Sequence, residues 1–198
     1  MVDPSLKSTP ERYGPVARAL HRTLSVLILL QIIGGLVAVS SSAERQIGLL
    51  KLHAPLGMLI ALVAALRLLW WLAFDRRPDD IVGMSRAQAV TAHVVHGLLY
   101  LLPLAAAFTG YALLSGSGAA GFVFGHATGA LPDLRAAAGF GAHYIAVMLL
   151  VAFIGLHIYA AVYHQVVKKD NLLARMRRDE PAPLTAPAAA QTSAGSRT

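Results

Sequence analysis

The 198-residue sequence contains no cysteine. That absence excludes disulfides, cysteine-ligated iron–sulfur clusters, zinc–thiolate sites and the C-x-x-C-H attachment of covalent haem. Any bound metal must rely on histidine or oxygen. Charge is also scarce: 14% of residues are charged and 56% hydrophobic, with mean hydropathy +0.59, whereas a soluble domain carries about a quarter charged residues. A water-soluble globule does not fit that balance. Acidic residues are the rarer sign, 10 against 17 Lys and Arg for a net charge of +7. Such an excess suits either nucleic acid or a membrane, and position along the chain decides between them. The length allows one domain and a tail.

Four apolar stretches, near 19–40, 53–74, 92–114 and 142–166, can each cross a hydrocarbon core about 30 Å thick, which takes about 20 helical residues. Residues 23–43, 87–132 and 136–167 carry no Asp, Glu, Lys or Arg, and 52–74 carries only Arg67. Leu, Ala and Val runs without period-two alternation favour helices over barrel strands. The expected fold is an all-α, integral membrane four-helix bundle. Lys7, Arg12, Arg18 and Arg22 precede the first span, Arg76, Arg77 and Arg86 lie between the second and third, and Lys168, Lys169, Arg175, Arg177, Arg178 and Arg197 follow the fourth. The other two loops hold only Arg45, Lys51 and Arg135, so both termini are expected in the cytoplasm. The positive charge is thus a topology signal and membrane lipid the partner. No nucleic acid is expected, because no basic patch interleaves with aromatics on a soluble face.

Residues 1–42 resemble a cleaved signal peptide in outline, but the leader is long and the apolar run is of spanning length, so the first helix is expected to remain. The expected organisation is a cytoplasmic segment 1–18, a transmembrane domain 19–180, and a Pro/Ala/Ser/Thr tail 181–198 too poor in large apolar groups to order.

Seven of the eight histidines lie on or at the ends of the spans: His21, His53, His93, His96, His143, His157 and His164. Ionisable groups in a membrane need a partner, a water cavity or a cofactor. His53 and His143 both enter from the outer side and are expected at one depth. From His143 to His157 the helix descends about 21 Å and turns only about 40° off the same face. His157 therefore approaches the depth of His21 at the cytoplasmic side. A single membrane histidine is more often a hydrogen-bonding or proton-relay group. Two matched pairs, without nearby acids, point instead to low-spin haem iron with protein ligands on both axial positions. Zinc would more often add Cys or carboxylate.

Gly34, Gly35, Gly57, Gly97, Gly141 and Gly155 lie close to these histidines, suiting either a flat macrocycle between helices or ordinary close helix packing. Arg67 falls on about the His53 face, about 21 Å toward the cytoplasm. It can pair with a haem propionate or an anionic headgroup, or simply snorkel to the interface. His96 and His164 are candidates to bind or protonate a quinone carbonyl, against plain interfacial solvation. His93 is surplus to the pairs, and His126 in the outer G-H-A-T-G loop carries no assigned role.

Several segments together resemble a known family. They are R-Y-G-P-V-A-R-A-L-H ending at His21, L-H at His53 followed by Arg67, A-H-V-V-H-G-L-L-Y-L-L-P over His93 and His96, and the His143, His157, His164 series closing with K-D-N-L-L-A-R-M. The chain is similar to the prokaryotic di-haem cytochrome b561 family over about residues 12–178, most closely to its superoxide oxidase members. Arg22 departs from that pattern, where relatives often carry Trp. The resemblance implies two non-covalent haem b groups, one on His21 and His157 near the cytoplasm, the other on His53 and His143 near the periplasm. It further implies a multi-pass protein of the bacterial inner membrane that takes electrons from superoxide and reduces ubiquinone. Lys51 and Arg135, with Arg45, then become candidates to steer a small anion to the outer haem, unless they are merely solvated cations. The alternative is an electron carrier, a haem-bearing membrane anchor for a separate periplasmic redox protein. A haem-free proton-relay transporter is a third reading, and it predicts a colourless protein.

Overall fold

The computed structural model describes residues 3–177 except 82 and 126, and among the described residues there are helices and no strand. Helix α1 spans Pro15–Val39, α2 Ala43–Leu69, α3 Arg86–Gly116, the short α4 Ala120–Phe124, and α5 Phe140–Tyr163. Helix α2 runs on through the π-helical turn Trp70–Phe74, and α5 through a second such turn, His164–Lys168. The four resulting segments, Pro15–Val39, Ala43–Phe74, Arg86–Gly116 and Phe140–Lys168, are each long and apolar enough to cross a membrane. His126, Arg178, Arg197 and the tail 181–198 lie outside the described residues.

The helix starts follow local chemistry. Pro15 occupies the first turn of α1, where its missing N–H costs nothing. Ser85 closes a capping box with Gln88: the Ser85 hydroxyl accepts from the Gln88 N–H at 3.3 Å and the Gln88 amide oxygen accepts from the Ser85 N–H at 3.0 Å. Helix α2 begins ten residues before the start at 53 expected from hydropathy. The added turns hold good helix formers and Glu44 near the N-terminus, but they are too polar to register as part of an apolar run.

Helices α1 with α2, α2 with α3, and α3 with α5 are packed neighbours. All four long helices supply the central core, through Leu24 and Ile28 of α1, Ile60 and Ala64 of α2, Leu102 of α3 and Leu150 of α5. A second cluster of Leu50, Leu114, Ala119 and Leu134 closes the end away from the termini. The outward faces are equally apolar: Leu30, Ile33 and Leu36 on α1, Leu62 on α2, Phe108 on α3 and Ile158 on α5 are all exposed. A bundle apolar on both its inner and outer surfaces is matched to hydrocarbon rather than water.

Both ends of the described chain meet at one end of the bundle, where the Tyr13 N–H donates to the Arg175 carbonyl at 3.2 Å. Asp75, the one buried charged residue of the described core at 8% exposure, ties this end together. It accepts from the Ser8 N–H at 2.9 Å, the Ser8 hydroxyl at 2.8 Å, the Trp70 indole at 2.9 Å and the Arg76 N–H at 2.9 Å. The Ser8 oxygen in turn accepts from the Gly14 N–H at 2.9 Å. Gly14 is required there, because a Cβ would lie 2.4 Å from the Lys7 carbonyl carbon. Asp75→Ala leaves these buried donors unpaired and is expected to cost about 3 kcal/mol, a loss readable as a lower thermal unfolding midpoint in detergent.

Candidate functional site

The histidines expected to pair are brought together. His21 on α1 faces His157 on α5 with ring centroids 6.3 Å apart and planes at 40°. His53 on α2 faces His143 on α5 at 6.4 Å and 88°. All four rings are half-buried. One metal between two imidazole nitrogens, at an imidazole–metal distance of about 2.0 Å and with about 1.1 Å from nitrogen to ring centre, sets the centroids about 6.2 Å apart. Both pairs meet that spacing. Among the described residues no three His, Cys, Asp or Glu side chains converge as a metal site. Two imidazoles therefore suit a metal whose other positions belong to a macrocycle.

The hydrogen bonds at Nδ1 fit the same role. The His143 Nδ1 lies 2.9 Å from the Ala106 carbonyl, which can only accept, so Nδ1 carries the proton and Nε2 keeps its lone pair. At His21, the Ser25 hydroxyl donates to the His21 carbonyl at 2.8 Å, leaving its oxygen to accept from Nδ1 at 3.2 Å. Gln31 donates to the His53 carbonyl at 2.8 Å, while His53 Nδ1 is buried without a partner.

The glycines divide. Cβ atoms added at Gly35 and Gly110 would each lie 3.0 Å from Cε1 of His53 and His143 respectively, so these two glycines make room for those rings. Gly57 instead approaches Gln31. At Gly34, Gly97, Gly141 and Gly155 an added Cβ would meet no atom within 4 Å. At half-buried Gly34 and Gly97 that open space suits a flat group slid between helices, whereas Gly141 and Gly155 are exposed and their open space lies on the outer surface. Gly110, Gln31 and Ser25 escaped the sequence reading, since nothing local distinguishes them from ordinary helix residues.

A second cluster surrounds the pair nearer the termini. His96 lies 5.3 Å from His157, nearer than His21. The Arg67 Nε donates to the Tyr100 hydroxyl at 3.3 Å, and the Arg67 and Arg77 guanidiniums stand 5.3 and 5.5 Å from the Tyr100 ring centre. Arg67 is half-buried, with its guanidinium turned to Tyr100 of the neighbouring helix α3. It therefore points into the bundle, not out to an interface. Just outside this end, burial pushes the Tyr13 hydroxyl pKa up despite the neighbouring Arg77, Arg175 and Arg67.

His93 pairs with Asp80 at 3.2 Å, with both side chains at least half exposed, which is a solvated surface contact. His164 is held by Asp170. At the opposite end Lys51, Arg45 and Arg135 are exposed, and Arg135 donates to the Val39 carbonyl at the close of α1, at 2.9 Å.

Four membrane-length helices with facing imidazoles between them define a class, the membrane cytochromes of b type. More narrowly, the chain belongs to the prokaryotic cytochrome b561 family, whose sequence profile matches residues 12–179. It is similar to cytochrome b561 homolog 2 of Escherichia coli strain K12, with 28% identity over 178 residues that cover 87% of this chain and 94% of that protein. Membership makes it a multi-pass bacterial membrane protein with a haem b electron-transfer function.

Proposed function

We propose that the chain binds two haem b groups, one between His21 and His157 and one between His53 and His143. In this reading it oxidises two superoxide anions to oxygen at the periplasmic side of the inner membrane. The two electrons, with two protons, convert one ubiquinone to ubiquinol. The observation that carries the proposal is the presence on α5 of two imidazoles, each facing a partner at iron-bridging separation. The excess of Lys and Arg around the termini supports placing that end in the cytoplasm. The 19–180 region then forms the di-haem domain, with 1–18 as its cytoplasmic leader.

When bound, haem iron accepts and releases single electrons. The chain supplies the rest. Nδ1 bonds at His21 and His143 orient the rings and fix the tautomer that leaves the Nε2 lone pair for a metal. Arg67, braced by Tyr100, offers its charge to a propionate on the inner side. His96 and His164 offer N–H groups to a quinone carbonyl, and Lys51 and Arg135 draw a small anion to the outer end.

The exposure of Lys51 and Arg135 at the end away from the termini also suits a second reading, in which an acidic periplasmic redox protein docks there and the chain acts as its membrane electron carrier. Detergent-purified protein given superoxide and a short-chain ubiquinone separates the two. Superoxide consumption with ubiquinol formation, in the absence of any partner, is expected. A two-haem protein inert to superoxide would leave only the carrier.

A further inference from the structure

We propose that Asp170 is the positioning residue that holds His164 as proton donor to the quinone, an inference that rests on the quinone reading above. His164 opens the π-helical turn that ends α5, seven residues beyond His157. Its Nδ1 lies 2.5 Å from the Asp170 Oδ2, with side-chain exposures of 15% and 21%. A carboxylate can only accept, so Nδ1 carries a proton and Nε2 is the free end of the ring. No hydrogen bond to Nε2 occurs among the described residues.

The backbone is bent to make this contact. Lys169 and Asn171, on either side of Asp170, are the only described non-glycine residues with positive φ, each at 55°. For Lys169 that conformation costs about 1 kcal/mol, and such outliers cluster where geometry serves a function. The turn does not need the side chain to close, because the Lys169 N–H already reaches the His164 carbonyl. Asp170 is itself fixed, its Oδ1 accepting from the Leu172 N–H at 3.3 Å. The pair sits at the C-terminal end of α5. The exposed His93–Asp80 pair has none of this framing.

The chemistry balances simply. A quinone gains two electrons, delivered singly by the chain's haem redox centre, and two protons. His164 takes a proton from water at Nε2 and passes it to one carbonyl oxygen, and the other oxygen takes its proton from water. Asp170 keeps the ring oriented by accepting the Nδ1 proton.

The test uses full-length, haem-loaded protein, chemically reduced and mixed with a short-chain ubiquinone while haem reoxidation is followed. Asp170→Asn is expected to lower the maximal rate by about tenfold or more, and His164→Gln by about a hundredfold, within the range of general acid catalysis. The half-saturating quinone concentration, haem content and reduced spectrum should stay at wild-type values, and Asp170→Glu should recover much of the rate. The double variant should fall no further than His164→Gln. A wild-type maximal rate in Asp170→Asn, or a change confined to half-saturation, would overturn the proposal. If Asp170→Asn fails to load haem, a wild-type rate in His164→Gln overturns it instead. Wild-type protein that quinone does not reoxidise would refute the quinone reading itself, and this inference with it.

Discussion

His53→Ala and His143→Ala are each expected to yield protein with half the wild-type haem b, and His21→Ala and His157→Ala to do the same from the other site. Haem extraction and the reduced-minus-oxidised spectrum measure the loss. Each variant removes one side of a pair whose rings stand 6.3 or 6.4 Å apart, so the remaining imidazole has nothing opposite it to complete six-coordinate iron. The two pairs lie about 21 Å apart along α5, far enough for losses at one to leave the other intact. The ring planes cross at 88° in one pair and 40° in the other. Two bis-histidine ferric sites with such different ligand planes should give distinct electron paramagnetic resonance signals, which identifies the site that each variant empties.

Among the described residues, His96 is the one able to blur that result. It lies nearer His157 than His21 does, at 5.3 Å and with planes at 71°. That separation is about 1 Å too short for two imidazoles on opposite sides of one metal at an ordinary bond length. Helix α3 would have to retreat before His96 could stand in for His21, so His21→Ala should lose its haem without rescue. Retention of two low-spin haems in any of the four single variants would refute the ligand assignment.

Much of this site was legible because helices convert sequence spacing into depth and direction. Fourteen residues between His143 and His157 mean one face at two depths, and the two imidazoles do each meet a partner there. The span count was legible for the same reason, since lipid demands uninterrupted apolar length. Helix starts were less so: 43–52 is helical but polar, and hydropathy reports burial in hydrocarbon rather than backbone conformation. Contacts between helices were not legible at all. Nothing local marks Ala106 as the carbonyl that fixes the His143 ring, or Gly110 as the position that admits it, because both depend on how α3 lies against α5. Asp170 shows the opposite limit. It stood inside a recognisable K-D-N-L-L segment, but its bond to His164 depends on two left-handed residues that no apolar pattern encodes.

Neutralising Lys51 and Arg135 together is expected to slow superoxide consumption by about tenfold at low ionic strength, with a much smaller effect at 0.15 M salt, where the Debye length falls to about 8 Å. The substitutions matter. Arg135 donates to the Val39 carbonyl at the end of α1, so Arg135→Ala would remove a helix-end hydrogen bond along with the charge. Arg135→Gln keeps an N–H donor, and Lys51→Gln keeps an exposed polar chain. Haem content and spectrum should be unchanged in the double variant, which confines the effect to the encounter with the anion. Because both cations are exposed, the proposed steering would act on the arrival of superoxide rather than on its affinity at a closed pocket. The loss should therefore appear in the second-order rate constant, and the salt dependence should flatten with it. An unchanged rate across the salt series would remove steering from the account and leave Lys51 and Arg135 as solvated cations. A superoxide rate that persists, alongside weaker turnover with an acidic periplasmic protein, would instead assign this end of the bundle to protein docking.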